Sequence, residues 1–282
     1  MKKLVVIVLT GIVLTWAKTV PSYAGVPLNN LEGVGGVAFN PLAYLAGNGA
    51  ADPNKSGKFL FEEVFSGKPQ VGGWYVNLSD NKIDWATFGI AQSFFNRLEL
   101  SYGYEVISTT FQDIQKHNLG AKLLVLEENF NDWGFAPAVS VGTVLKHTTF
   151  DTPPNVDNTG FDFYIVATKL IKQAPKPILL SGGLLSTKGR TLGVLGFDEH
   201  RDEVLFGNID VLPLKNLAVG FEYRQGAKFS AWKDADYWET HVAWFVNKNL
   251  TLVAAYVNAG NEKSSSKVGL GDGVVLSIQY AF

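Results

Sequence analysis

From about residue 71 to residue 282, apolar residues recur at every second position, in runs separated by Gly, Asn, Asp and Pro. A period of two is the pattern of a β-strand with one apolar and one polar face. The run 97–105 shows it most clearly, because its apolar and polar side chains project to opposite faces. One face carries Leu98, Leu100, Tyr102 and Tyr104, and the other carries Arg97, Glu99, Ser101, Gly103 and Glu105.

Twelve such runs predict twelve strands, at 71–79, 83–94, 97–108, 116–128, 134–148, 160–172, 178–187, 203–212, 217–226, 236–246, 250–260 and 273–282. Apart from the first hairpin, short connections alternate with longer ones at 109–115, 149–159, 188–202, 227–235 and 261–272. An even number of strands, with short turns at one rim and long loops at the other, is typical of a transmembrane β-barrel. The sequence therefore predicts an all-β fold, a transmembrane antiparallel β-barrel of about 12 strands over residues 71–282.

Three of the predicted strands follow a turn that contains asparagine, namely Asn96, Asn216 and Asn249. Asparagine tolerates the left-handed backbone that tight hairpins require. We expect each of these residues to begin a hairpin.

Residues 1–24 have the pattern of a secretory signal peptide, with a basic start at Lys2 and Lys3, an apolar run and a small-residue end at Ala24. The sequence thus indicates export from the cytoplasm. The chain has no cysteine, which excludes disulfides, thiolate metal sites and a lipid-modified cysteine. No run of 18 apolar residues follows residue 24, so the pattern predicts no membrane-spanning helix.

The signal segment holds three of the 24 Lys and Arg residues and no acid, which leaves 21 basic against 26 acidic residues. This negative balance argues against nucleic acid as a partner. Aromatic residues near strand ends indicate a girdle at the lipid headgroups. The tryptophans considered for it are Trp74, Trp85, Trp133, Trp232, Trp238 and Trp244; packing inside a β core is the alternative for each.

The C-terminal strand alternates and ends in Tyr280, Ala281 and Phe282. It resembles the signal by which the insertion machinery of Gram-negative bacteria recognises outer-membrane barrels. The resemblance implies Tyr280 and Phe282 as the insertion signal, the insertion machinery and outer-membrane lipid as partners, and the outer membrane as the location.

A second resemblance rests on the stretch 183–193, residues 196–199 and the run 219–224. These segments are similar to an uncharacterised family of proteobacterial outer-membrane β-barrel proteins. The resemblance implies the barrel fold and brings no known chemistry with it.

Residues 25–70 do not follow the strand pattern. Their Gly-rich apolar part, 33–49, predicts a short plug, because glycine allows close approach to a barrel wall. A flexible periplasmic leader and an irregular extra strand are the alternatives.

Strand alternation places a set of charged side chains inside the barrel, where charge must be paired or hydrated. One hypothesis is an aqueous passage with mixed charges, and the other is a set of ion pairs that holds a narrow barrel shut. The residues are Arg97, Glu99, Glu105, Lys122, Lys146, Glu222, Arg224, Glu239 and His241.

A hydrolase is a weaker hypothesis, in which Glu239 orients His241 as an acid or base. No G-x-S-x-G motif supplies a nucleophile, and the acidic loop 198–203 lacks the ligand spacing of a calcium loop. We therefore expect no catalytic residue, metal or cofactor.

The leading interpretation is a passive channel for small hydrophilic solutes. The alternative is a non-conducting structural or export-partner barrel that uses the long loops 149–159 and 188–202 as contacts.

Overall fold

The computed structural model describes residues 28–47, 68–129, 134–150, 156–260 and 267–282. Within these residues, twelve antiparallel strands close into one barrel. They are β3 (Gln70–Leu78), β4 (Ile83–Phe94), β5 (Leu98–Ser108), β6 (Asp113–Leu126), β7 (Ala138–Thr148), β8 (Thr159–Ile171), β9 (Ile178–Gly189), β10 (Phe197–Leu214), β11 (Leu217–Arg224), β12 (Tyr237–Phe245), β13 (Leu250–Asn258) and β14 (Asp272–Ala281). Two shorter strands, β1 (Leu28–Asn29) and β2 (Gly35–Gly36), form a separate hairpin. The predicted signal peptide lies outside the described residues.

The barrel closes between its first and last strands. Gly273 of β14 lies opposite Leu78 of β3, and the pairing continues to Ala281 opposite Gln70. Closure pairs the backbone groups that an open edge would leave bare, which a bilayer cannot hydrogen-bond. The prediction of a closed, twelve-stranded antiparallel barrel is confirmed.

An apolar band covers the outside of the barrel. Phe88, Leu100, Phe163, Val219 and Leu276 are among its exposed side chains, each at an outward position of a different strand. An outward apolar band is what hydrocarbon requires of a barrel wall. Among the described residues, no helix is both long and apolar enough to cross a membrane.

The two rims of the barrel differ. One, the turn rim, carries the connections that follow β4, β6, β8, β10 and β12, together with the end of β14. The other, the loop rim, carries the connections that follow β3, β5, β7, β9, β11 and β13. Those after β7, β11 and β13 are long, as predicted, but the connection after β6 is also long: it was predicted to be short, at 129–133, and spans 127–137 because β6 ends at Leu126 and β7 begins at Ala138.

Two predicted loops are shorter than expected. The predicted loop 188–202 consists largely of strand, since β9 runs to Gly189, a 3₁₀ turn follows at Arg190–Gly193, and β10 begins at Phe197. Likewise, β6 begins at Asp113, within the predicted loop 109–115. Spanning a bilayer takes about ten residues, so the ends of longer strands extend beyond the apolar zone and lose the apolar alternation.

Tryptophan placement departs in part from the predicted girdle. Trp74 and Trp85 are buried inside the barrel, whereas Trp244 is exposed on the outside. The inward pair has polar partners: Trp74 donates to the carbonyl of Asn29, and Trp85 donates to Glu105. Position 133 lies outside the described residues.

Of the three asparagine turns, only Asn96 has the left-handed backbone, with φ of 52°. It follows Phe95, which has φ of 54°, in the tight connection between β4 and β5. Asn249 instead caps its turn through side-chain contacts, since its amide donates to the carbonyl of Ala281 and its backbone N–H donates to Asn247.

Candidate functional site

Residues 28–47, called the inner segment below, lie inside the barrel. The segment begins with the β1–β2 hairpin, in which Leu28 pairs with Gly36 and Asn29 with Gly35. The side chain of Asn30 stabilises the turn between these strands by accepting the backbone N–H groups of Glu32 and Val34. The hairpin turn is thus held by contacts within the inner segment itself, so the segment can fold within the lumen.

Glycines set how closely the inner segment approaches the wall. Gly33 has φ of 85°, and a Cβ atom there would lie 2.5 Å from the carbonyl oxygen of Tyr102. On the wall, a Cβ atom at Gly103 would lie 2.3 Å from the carbonyl oxygen of Glu32. The opposite residue on β4 is Gly89, which is equally close to Gly33. Only glycine fits at this contact.

The buried ion pair of Lys122 and Glu99 binds the inner segment at two places, Gly35 and residues 44–46. Lys122 lies 3.0 Å from Glu99 and donates to the carbonyls of Gly35, at 2.7 Å, and Tyr44, at 2.9 Å. Glu99 accepts the backbone N–H groups of Gly35, at 2.8 Å, and Ala46, at 2.6 Å. The two wall residues therefore satisfy backbone groups that would otherwise be unpaired inside the barrel.

A second wall carboxylate binds three successive backbone donors. Glu222 accepts the N–H groups of Ala38 and Phe39, both at 3.1 Å, and of Asn40, at 2.8 Å. Successive N–H groups that converge in this way form an anion-binding concavity. Glu222 is fully buried, so its charge depends on these donors.

Glu32 joins the inner segment to a row of charges on the wall. Its carboxylate pairs with Lys146 and, at 3.2 Å, with Lys116. Lys116 lies 3.0 Å from Glu105, and Lys146 lies 2.5 Å from Asp162. Lys116 and Lys146 thus each pair with two carboxylates, one from the wall and that of Glu32 on the inner segment.

The surroundings of Glu32 fix its ionisation. Burial alone would raise the pKa of its carboxyl, but the ammonium groups of Lys146 and Lys116 and the guanidinium of Arg224 outweigh burial and lower the pKa from 4.5 to about 2. The carboxylate therefore stays charged over the whole physiological pH range.

This shift predicts how acid acts on the inner segment. Because the pKa of Glu32 is lowered when the inner segment is bound in the lumen, ionisation of Glu32 stabilises the bound segment. This stabilisation is complete above pH 4.5 and is lost as the pH falls towards 2. We expect wild type and Glu32→Gln to differ by about 3 kcal/mol in the free energy of segment release above pH 4.5, and less and less below it. Because the chain has no cysteine, Ala43→Cys gives a single reporter at a fully buried site. Its labelling rate with 4,4′-dithiodipyridine, normalised to the unfolded chain at each pH, measures release; a difference that does not shrink below pH 4.5 would contradict the assignment.

The far end of the inner segment contacts the turn rim. The hydroxyl of Tyr44 donates to Glu128 at 2.8 Å, and Glu128 lies 3.3 Å from Lys169. Burial, followed by the charge of Glu128, raises the pKa of Tyr44, so the hydroxyl remains a donor.

Two connections at the loop rim are joined by a buried carboxylate. Asp234 accepts the backbone N–H and the hydroxyl of Thr191, at 2.9 and 3.1 Å, and the indole N–H of Trp232, at 2.7 Å. Burial raises the pKa of Asp234, and these donors offset part of that rise. The contacts hold the connection after β9 against the connection after β11.

Apolar side chains fill a large part of the interior. Inward side chains from β3, β4 and β11–β14 form one cluster with residues of the inner segment. The cluster includes Trp74, Val76, Trp85, Ala218, Phe245, Val253 and Val275. The barrel interior therefore combines buried charged residues, on β5–β8 and β10–β12, with apolar clusters.

His241 is a buried, inward residue of β12. Its ring nitrogens are each 2.7 Å from a carboxylate oxygen, one of Glu239 and one of Asp210. When both acids are ionised, they are acceptors only, and both ring nitrogens then carry hydrogen. The imidazole is thus bridged between two acids.

The structure places eight of the nine predicted interior residues inside the barrel, buried against the inner segment or each other. They are Glu99, Glu105, Lys122, Lys146, Glu222, Arg224, Glu239 and His241. Arg97 was predicted wrongly: it lies in the turn before β5, is exposed, and pairs with Glu127 at 2.8 Å. The strand begins one residue later than predicted, so alternation does not apply to Arg97.

Sequence reasoning missed four charged residues of the interior: Glu32, Lys116, Asp162 and Asp210. Lys116 and Asp162 alternate in step with other inward residues of their strands, so the period of two could have identified them. Glu32 lies outside any regular pattern and could not be found that way.

The residues of the predicted insertion signal are exposed at the turn rim. The rings of Tyr280 and Phe282 meet edge to face, with centroids 5.0 Å apart. Their role in insertion stays a prediction. Within the described ranges, no group of three or more histidine or acidic residues is arranged to hold a metal ion. In the acidic stretch 198–203, Asp198 pairs with Arg190 at 2.6 Å.

Comparisons with known proteins support the fold. The family model described as "Protein of unknown function (DUF3034)" matches residues 25–279. The solved KdgM porin superposes with a TM-score of 0.52 at 15% identity, covering 76% of this chain and 99% of the porin. The structure titled "KdgM porin in complex with disordered oligogalacturonate" gives 0.53 at 14% identity, with coverage of 76% and 99%. The NanC porin gives 0.50 at 10% identity, with coverage of 76% and 98%. No curated protein sequence matches the chain. The predicted outer-membrane barrel fold is confirmed.

Proposed function

The chain belongs to the family of proteins of unknown function DUF3034, and on that premise we propose that it is an outer-membrane channel for small hydrophilic solutes that the inner segment closes. One observation carries the proposal: beside the apolar contacts of its side chains, the inner segment is held by hydrogen bonds from its backbone to buried charged side chains of the wall.

Polar contacts favour an inner segment that can move out of its position in the lumen. When the segment moves out, water can solvate Glu99, Lys122 and Glu222, so the charges need not stay buried and unpaired. The same side chains then line an aqueous passage, as charged rings do in other channels. Because both signs are present on this wall, we expect weak ion selectivity.

Similarity to porins is consistent with this role. One solved neighbour is a porin whose title names a complex with oligogalacturonate, an acidic oligosaccharide. The mixed charge of the present lumen does not single out acidic solutes, so we propose passage by size and polarity.

A non-conducting structural barrel is the second candidate, and burial of the charges favours it. Lys116, Lys122 and Lys146 are all almost fully inaccessible to solvent, and each has a carboxylate partner. A barrel whose segment never leaves would serve the cell envelope only as a support or export partner.

We also propose that the barrel is not a hydrolase. In the described chain, His241 bonds to Glu239 and Asp210, and neither contact involves a hydroxyl nucleophile. With both ring nitrogens bonded to acids, His241 supports the wall and has no free nitrogen to act as a base.

Planar-bilayer conductance with a reversible lock tests the channel. Ser93 donates to the carbonyl of Ala46, so Ala46→Cys with Ser93→Cys places two thiols between the inner segment and β4. We expect wild type to show discrete openings, the oxidised double variant to be silent, and reductant to restore the openings. Each single-cysteine variant is the control for side effects of substitution. Glu222→Leu removes a carboxylate that binds the inner segment. If neither wild type nor this variant conducts while both migrate as folded barrels, the channel proposal fails and the structural barrel remains.

A further inference from the structure

A crevice lies between the inner segment and the wall formed by β8–β12. About 680 Å³ of space lies within and in front of it, open solvent included. Most of its lining is apolar and comes from both the inner segment and the wall. The side chains that define it include Leu28, Val37, Leu179, Leu212, Ala243 and Phe245.

The crevice opens towards the turn rim. Of its lining residues, Tyr44 and Leu170 are half-buried and all the others are buried. Leu170 is the second-last residue of β8, at the end of that strand nearest the turn rim. A molecule could therefore enter beside these two side chains without displacing the ion pairs of Glu32 or Lys122.

The buried end of the crevice is polar. Asp210 and His241 both line it, and their side chains lie 2.7 Å apart. Asp210 also accepts the amide of Asn208, so each of its oxygens holds one donor and can accept another. With Glu239 on the other ring nitrogen, the cluster has two carboxyl groups for one imidazole.

An open apolar crevice is not needed for the polar contacts that hold the inner segment, and it does not suit a passage for hydrophilic solutes. Residual cavities destabilise a packed interior, and interiors normally close them. The lining, mostly apolar with a few converging polar groups, is that of small-molecule sites.

We propose that this crevice binds a small apolar molecule that carries one hydrogen-bond donor, an alcohol or a primary amine. The apolar body lies among the leucines, Val37 and Phe245, and the donor group lies against Asp210. A carboxylate at the head position is excluded, because it would face the carboxylate of Asp210. The site is separate from the conducting role proposed above, since it exists with the inner segment seated and requires no passage of ions.

Calorimetric titration of the full chain in lipid nanodiscs tests the proposal, with empty nanodiscs of the same lipid subtracted. The probes are 1-octanol, octylamine and octanoate. We expect saturable binding of 1-octanol and octylamine at one site per barrel, and at least a tenfold weaker response to octanoate.

Two substitutions to phenylalanine distinguish the crevice from the lipid-facing wall. Ala243 is buried in the crevice, whereas Ala254 on the neighbouring strand is exposed on the outside. Ala243→Phe fills the crevice and should reduce 1-octanol binding at least tenfold, while Ala254→Phe should leave it unchanged. Equal binding by both variants would overturn the proposal.

A head-group variant provides a test that does not depend on how Ala243→Phe folds. Asp210→Asn removes the negative acceptor and should lower the preference for octylamine over octanoate at least tenfold. An unchanged preference would show that the head of the ligand does not meet Asp210, and would overturn the assigned ligand class. Saturable binding of octanoate as tight as that of 1-octanol in wild type would do the same.

Discussion

Replacing Glu222 with leucine should loosen the inner segment and raise the labelling rate of the Ala43→Cys reporter about 10²- to 10³-fold at neutral pH. The reason is the loss of one acceptor for three donors: the N–H groups of Ala38, Phe39 and Asn40 all bond to this carboxylate. Hydrogen bonds to a charged group contribute about 1.5–3 kcal/mol each, and a buried donor without a partner costs a similar amount. Leucine fills the space but accepts nothing.

The full sum of three bonds is not expected. Released N–H groups find water once the segment has left, and removal of Glu222 also removes a negative charge near Glu239, which favours the variant. A net change of about 3–4 kcal/mol remains, and 1.4 kcal/mol corresponds to a factor of ten.

Glu222→Gln and Glu203→Leu are the controls for this experiment. Glutamine keeps one carbonyl acceptor, so we expect its effect to lie between those of wild type and leucine. Glu203 is exposed and its substitution should leave the labelling rate unchanged. Each variant must show the heat-modifiable migration of a folded barrel. Equal labelling of Glu222→Leu and wild type would mean that the inner segment does not depend on this carboxylate.

The barrel could be predicted from sequence because its two faces meet different solvents. Leu276 and Val219 face hydrocarbon, so the period of two is enforced along their strands and the strand positions follow from it. The interior has no such uniform solvent: Glu222 and Val275 are both inward and both buried. Alternation thus places a side chain inside without indicating what it contacts.

The inner segment explains why the candidate site was only partly predictable. Strand periodicity identified Glu99 and Lys122 as inward, yet their contacts with Gly35 and Ala46 join parts of the chain far apart in sequence. The glycines of the segment indicated close approach to a wall, and Gly33 against Gly103 is such a contact. Which wall residues receive the segment depends on the folded barrel, and no local pattern encodes it.

Arg97 shows the limit of alternation at strand ends. Alternation assigns a face only within paired strand, and β5 begins at Leu98. One residue earlier, the side chain is free to turn outwards, where it meets Glu127. A shift of one residue at a boundary therefore moves a predicted lumen charge to the solvent.

Lys122→Met should release the inner segment to an extent similar to Glu222→Leu, by a different route. Methionine keeps the apolar length of lysine but leaves Glu99 without its cation and the carbonyls of Gly35 and Tyr44 without a donor. Removing one partner of a buried ion pair typically costs 3–5 kcal/mol, because the other charge remains buried. We expect reporter labelling to rise at least 10²-fold.

If Lys122 and Glu99 act as an ion pair, a double variant that removes both charges should be less affected than Lys122→Met alone. In Lys122→Met with Glu99→Gln, no uncompensated charge is left, and glutamine still offers an acceptor to the N–H groups of Gly35 and Ala46. The double variant should therefore release the segment less readily than Lys122→Met alone, with a coupling of at least about 1.5 kcal/mol between the two positions. Arg97→Met is the matched control: Arg97 pairs with Glu127 at the turn rim, where both side chains are exposed, so its loss should change labelling by less than about fivefold. If the effects of the single substitutions at Lys122 and Glu99 simply add, the pair does not act as a unit. The inner segment is then held by the separate hydrogen bonds that each of these residues makes to it.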